Sequence, residues 1–173
     1  MDDRVRQILA LGRPGRETDR VVTTIELGLH YADELGDHCF DSRHLLSGLF
    51  REPGGVAHCA LANLDVAQEQ IDSALLSRER EADDLAFRVD DDMRVVLSTA
   101  FSAADDMSHS YVGTEHLLIG TAADGTKSNR LLADLGLSQT AVTKEVHDIL
   151  GYFGLSKRIA GWLRRLRHRR TIG

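Results

Sequence analysis

Two stretches gather the side chains able to do chemistry. His109 to Gly120 reads H-S-Y-V-G-T-E-H-L-L-I-G, and Asp37 to Gly48 reads D-H-C-F-D-S-R-H-L-L-S-G. Glu115 offers a carboxylate, which in a first turn complements the dipole of a helix start. Arg43 holds the corresponding place in the other stretch, so the charge is reversed there. A guanidinium beside free helix amides makes an anion site, whereas a surface arginine commonly closes a local ion pair, here with Asp41 or Glu52. His44 and His116 recur at one position, where imidazole can bind metal or move protons. No nucleophile or paired carboxylate accompanies them in sequence, so the expectation is packing with a hydrogen bond to neighbouring backbone. His38-Cys39 and His58-Cys59 carry zinc-ligand types without the C-x-x-C spacing. Cys39 reads as a residue ahead of a helix, and Cys59 as a small core residue. No metal and no cofactor are expected.

Both stretches look like helix entries. Gly113 supplies a permissive turn position, and Thr114 and Ser42 are good N-caps whose hydroxyls can take an orphan amide of the first turn. Ser42 matches Thr114, Leu45 and Leu46 match Leu117 and Leu118, and Gly48 matches Gly120, all seventy-two residues apart. Further on the offset drops to seventy-one, so that Leu61 matches Leu132 and Leu64 matches Leu135. Such self-similarity marks a duplicated unit.

Helical spacing and capping signals then divide the chain. Residues 1–18 form an N-terminal extension, with a short helix over Val5–Leu11 stopped by Arg13-Pro14-Gly15. The first repeat, 19–76, holds a helix opened by Asp19 with Val22, Ile25, Leu29 and Ala32 on its buried side. Helices from Ser42, Val56 and Ala67 follow. Residues 77–90 are dense in charge and read as a solvated linker, in which alternating Leu85, Phe87 and Val89 allow one short extended contact. The second repeat, 91–151, opens at Asp91 or Asp92, with Val95, Val96, Thr99, Ala100, Ala103 and Ala104 buried. Helices from Thr114, Ser128 and Ser138 complete it. The fold class is all-α: two pseudo-symmetric four-helix repeats packed as one eight-helix bundle.

The net charge of −6 hides an asymmetry. Residues 152–173 form a basic amphipathic tail, with Leu155, Ile159, Trp162, Leu163 and Leu166 on one helical stripe. Lys157, Arg158, Arg164, Arg165, Arg167, Arg169 and Arg170 lie in the same stretch with no acidic residue, leaving 14 basic against 27 acidic residues in the body. An acidic body argues against a nucleic-acid surface. The tail suits an anionic membrane with Trp162 at the interface, a protein partner, or a nucleic-acid arm. Protein docking is the reading taken, since one short amphipathic stripe needs a second signal for stable membrane anchoring. The N-terminus lacks an apolar signal core and no run approaches transmembrane length, so the expected compartment is the cytoplasm.

The repeat resembles the amino-terminal domain of Clp-type AAA+ protein unfoldases, most closely the ClpC branch. The likeness rests on H-S-Y-V-G-T-E-H-L-L-I-G with L-L-A-D-L-G-L at Leu131–Leu137, and more loosely on A-D-E-L-G-D-H, H-L-L-S-G-L-F-R-E-P-G-G-V-A and A-L-A-N-L-D-V. It covers roughly Asp19 to Gly151. The resemblance implies a bundle that receives substrates and adaptor proteins without enzymatic activity. It also implies that Glu115, with Thr114, helps receive the guanidinium of phosphoarginine. Arg43, beside Ser42, departs from the family glutamate, so two equivalent phosphoarginine sites are not expected. No G-x-x-x-x-G-K-[ST] motif occurs, and no ATP binding is expected. The implied role is a free-standing adaptor, substrate receptor or decoy, with Clp unfoldase or protease components, their substrates, or small molecules that target such domains as partners. The alternative is a structural or regulatory module that its tail localises to a membrane or larger assembly.

Overall fold

The computed structural model describes residues 2–77 and 86–151. The expectations for Leu85 and for the tail residues Trp162, Arg164, Arg165 and Arg167 lie outside these residues. A leading helix, α1 (Asp3–Leu9), is capped by the Asp2 carboxylate, which accepts the Arg4 amide at 2.8 Å. Two sets of four helices follow in the same order. The first is α2 (Asp19–Leu35), α3 (Ser42–Arg51), α4 (Val56–Asn63) and α5 (Gln68–Leu76). The second is α6 (Asp92–Asp106), α7 (Thr114–Thr121), α8 (Lys127–Asp134) and α9 (Gln139–Leu150). Gly36 and Gly151 end α2 and α9 in the left-handed conformation, with φ of 70° and 79°. No described helix is long and apolar enough to cross a membrane.

One continuous core serves both repeats. Ile25, Leu29, Phe40, Leu45 and Leu49 meet Met93, Leu97, Leu117, Leu118, Val142 and Val146 in a single cluster. The buried stripes lie slightly off the expected ones. Val21 rather than Val22 is buried on α2, while Met93, Leu97 and Phe101 replace Val95 and Thr99 on α6. Val95 is exposed. A periodicity shared by adjacent apolar residues leaves the rotation of a helix open, and the partner helix settles it.

The partner approaches closely through glycine. A Cβ on Gly48 of α3 would stand 2.2 Å from the Thr24 carbonyl oxygen of α2, and one on Gly120 of α7 would stand 2.3 Å from the Val96 oxygen of α6. These glycines recur because both crossings bring backbone against backbone.

The short extended contact expected within the charged stretch is present at Phe87 and Val89. Arg88–Val89 (β2) pairs in parallel with Cys39–Phe40 (β1), and Phe87 and Val89 pack against the core. The same pairing occurs elsewhere as a single bridge between Glu17 and Val112, where Val112 N donates to Arg16 O at 2.7 Å. Thus the segment ahead of α6 binds the segment ahead of α3, and the segment ahead of α2 binds the segment ahead of α7. Each repeat straps the other.

Gly48→Ala and Gly120→Ala are each expected to lower unfolding free energy by about 1–3 kcal/mol, the usual range for overpacking. Urea denaturation of the two variants against the parent checks this.

Candidate functional site

The two matching helix starts hold the residues of interest. Neither Ser42 nor Thr114 is the N-cap. Asp41 caps α3 and accepts the Arg43 amide at 2.9 Å, while Gly113 holds the cap position of α7 without a side chain. Ser42 and Thr114 are the first helical residues, and both are buried. Their hydroxyls serve the opposite repeat. Ser42 Oγ donates to Asp92 Oδ2 at 2.5 Å and accepts the Ser128 amide at 2.9 Å, while Thr114 Oγ1 accepts the Ala57 amide at 3.4 Å. The helix starts therefore face inward across the bundle and do not stand out as tips.

Both histidines pack as expected. His44 Nδ1 accepts the Asp41 amide at 3.1 Å, and His116 Nδ1 accepts the Gly113 amide at 2.9 Å. This is the backward half of a capping box, with imidazole in the place of glutamate. The remaining nitrogens differ in partner. His44 Nε2 donates to Asp37 Oδ2 at 3.1 Å, whereas His116 Nε2 lies 2.9 Å from His109 Nδ1. Burial first, then the charge of His109 and of Arg16, pulls His116 down to about 4. It is therefore neutral at physiological pH.

The first start neutralises itself. Arg43 Nε lies 3.1 Å from Asp41 Oδ2, so the guanidinium is closed in a local pair with Asp41; Glu52 instead takes Arg20 at 2.7 Å. Burial alone would raise the Asp41 carboxyl, but His44 and Arg43 beside it prevail and hold it well below the usual carboxylate range. The second start has no such closure. Glu115 is 4% exposed, and its carboxylate folds over Gly113, where an added Cβ would lie 2.5 Å from Oε2. Its Oε1 lies 3.4 Å from His116 Nδ1, a nitrogen already occupied by the Gly113 amide. Among the described residues no group donates a hydrogen bond to it. Gly113 makes room for this carboxylate where Asp41 fills the first start.

Cys59 is exposed, not a core residue. Cys39 is half-buried, with Sγ 3.9 Å from Asp90 Oδ2, and burial pushes its thiol up to about 11. Among the described residues neither cysteine joins a metal-ligating cluster. His109 and Asp92 are the residues that sequence reasoning missed. The seventy-two-residue offset could have found His109, which takes the place of Asp37. Asp92 bridges two helix starts, accepting Ser42 N at 3.2 Å and Lys127 N at 3.0 Å, a role that no local pattern carries.

The family described as the Clp repeat (R) N-terminal domain matches residues 16–135 and, a second time, residues 88–154. The chain belongs to this family. The ClpC/MecB protein of Bacillus subtilis, a negative regulator of genetic competence, is 31% identical over 140 residues, 79% of this chain and 17% of that protein. The chaperone ClpB of Oceanobacillus iheyensis is 31% identical over 142 residues, again 79% of this chain and 17% of the relative. This Clp N-domain chain thus spans about one sixth of the curated relatives it matches, 17% of their length. Among solved structures, the ClpV N-domain of Vibrio cholerae superposes with a TM-score of 0.66 at 15% identity, covering 85% of this chain and 89% of that one. The Hsp104 N-terminal domain of Candida albicans gives 0.64 at 15% identity, over 78% and 91%. A ClpV N-domain in complex with a VipB peptide gives 0.62 at 15% identity, over 85% and 91%.

The depressed His116 makes this Clp N-domain acid-sensitive. The unfolded chain takes up a proton near the ordinary value of 6.5 that the folded chain refuses until about 4, so stability falls as pH drops through that window. Between pH 7 and 4.5 this residue's share of the loss is about 2–3 kcal/mol. Denaturant unfolding at the two pH values, in EDTA-containing buffer, should show a shallower pH dependence for His116→Asn than for the parent.

Proposed function

We propose that this Clp N-domain is a non-catalytic protein-binding module of the Clp unfoldase and protease system, acting in the cytoplasm as an adaptor or substrate receptor. Membership of the family supports this, as does the likeness to a ClpV N-domain that takes a partner peptide. The observation that carries the finer reading is the Glu115 carboxylate, almost buried at a helix start and without a hydrogen-bond donor among the described residues. A guanidinium offers such a carboxylate a planar fork of charge-assisted hydrogen bonds. Glu115 stands in the first turn of α7, where a helix start favours an anion. A phosphorylated arginine on a partner protein brings both charges together. Arg43 is already paired with Asp41, so the first start offers no second copy of this chemistry.

Calorimetric titration with a phosphoarginine-containing peptide should give a single class of site. Glu115→Ala should weaken binding at least about tenfold, the effect of losing one charge-assisted pair. Arg43→Ala should leave it nearly unchanged. Absence of binding by the parent, or equal binding by Glu115→Ala, overturns the phosphoarginine reading.

A further inference from the structure

The two repeats provide an internal comparison. At the first helix start, Asp37, Arg43 and His44 sit with Asp41: the Arg43 guanidinium pairs with Asp41, and the His44 ring donates to Asp37. At the second start the same four positions carry His109, Glu115, His116 and Gly113. Both anions and the cation of the first set are gone. In their place stand the His109 imidazole, Gly113 and the Glu115 carboxylate, and the ligand atoms of His109, Glu115 and His116 lie within 4.8 Å of one another.

From this we infer a transition-metal site in which His109 Nδ1 and His116 Nε2 bind one zinc-like divalent ion, with Glu115 orienting His116 from behind. The two nitrogens face one another at 2.9 Å. Two nitrogens on one tetrahedral zinc at 2.0–2.1 Å stand about 3.3 Å apart, so a small parting of the rings admits the ion. Imidazole pairs select zinc, nickel or copper over magnesium and calcium, which prefer oxygen.

The proton count closes within the His116 ring. Without metal, Nδ1 accepts the Gly113 amide, so Nε2 carries the hydrogen that points at His109 Nδ1. When the metal takes the Nε2 lone pair, that hydrogen moves to Nδ1. There the Glu115 carboxylate, 3.4 Å away, accepts it. The result is the carboxylate–histidine–metal arrangement that fixes a ligating ring. Gly113 itself lies against the same carboxylate, since a Cβ added there would stand 2.5 Å from Glu115 Oε2.

The surroundings suit a ligand pair. Arg16 holds the His109 carbonyl at 2.7 Å, and Tyr111 stacks on the His109 ring with centroids 4.9 Å apart. His116 is fully buried, whereas His109 is half-buried and is followed by exposed Ser110 and Tyr111, so an ion enters from that side. Two protein ligands leave coordination positions for water or for an acidic group of a partner.

The inference does not rest on the phosphoarginine reading, and its key variant leaves Glu115 in place. Zinc is titrated into the full chain against a chromophoric chelator, with His ring proton signals followed in parallel. The expected result is about one zinc per chain, with the His109 and His116 signals moving together. His109→Asn keeps an acceptor for His116 Nε2, as Asp37 does for His44, but is a poor zinc ligand. It should weaken zinc at least tenfold while unfolding in EDTA at nearly the parent temperature. Glu115→Gln should weaken zinc about tenfold, the usual effect of losing an orienting partner. Cys39→Ser with Cys59→Ser should bind as the parent does. No zinc uptake by the parent, undiminished binding by His109→Asn, loss in the cysteine double variant, or ring signals that stay in place each overturn the site.

Discussion

Ser42 of α3 and Thr114 of α7 are buried where the two repeats meet, and the hydrogen bonds that their hydroxyls make across the bundle are the constraint on which the rest of the structure depends. At α3, Ser42 and Asp92 knit the starts of three helices together: the Asp92 carboxylate accepts from Ser42 and from Lys127, and Ser42 in turn accepts from Ser128. At α7, Thr114 receives the Ala57 amide of α4. Burial raises the Asp92 carboxyl, which shows that this bridge is made against a desolvation penalty. The exchanged straps at Phe40 and Val112 add backbone pairing in the same sense.

That constraint applies equally to both repeats, yet the side chains around the two starts have diverged. The first is a closed electrostatic unit in which Asp41 lies against Arg43, His44 and Lys127. The second keeps the imidazole cap but replaces the acid at the cap with Gly113 and the acid beneath the ring with His109. Duplication provides two matching helix starts, and substitution at three positions replaces a closed electrostatic unit with the cluster of His109, Glu115 and His116. The binding chemistry of this Clp N-domain is accordingly expected on one side of its pseudo-two-fold axis.

Much of the fold was legible. The recurrence of H-L-L-x-G, the capping residues and the turn glycines located eight helices to within a residue or two. The errors share a cause. Ser42 and Thr114 have the preferred chemistry of N-caps, but Asp41 can cap as well, and a histidine at the third position can replace the usual glutamate. Val22 and Val95 satisfy helical spacing as well as Val21 and Val96 do. Cys59 has a small apolar side chain, and only the position of its helix decides that it faces solvent. The alternation of Phe87 and Val89 marked one extended contact correctly, but not its partner at Cys39–Phe40, which lies some fifty residues away.

By itself the sequence determined the duplication, the helical class, the family and the reversal of charge between Arg43 and Glu115. These follow from residue types at fixed spacings, and spacing survives without coordinates. The tertiary structure alone decided that the helix starts face inward, that Arg43 is spent on Asp41, and that Glu115 and His109 converge on His116. Those outcomes depend on which side of each helix meets the other repeat. That rotation is set by backbone contact at Gly48 and Gly120 and by polar bonds spanning fifty to eighty-six residues, a range over which local pattern carries no information.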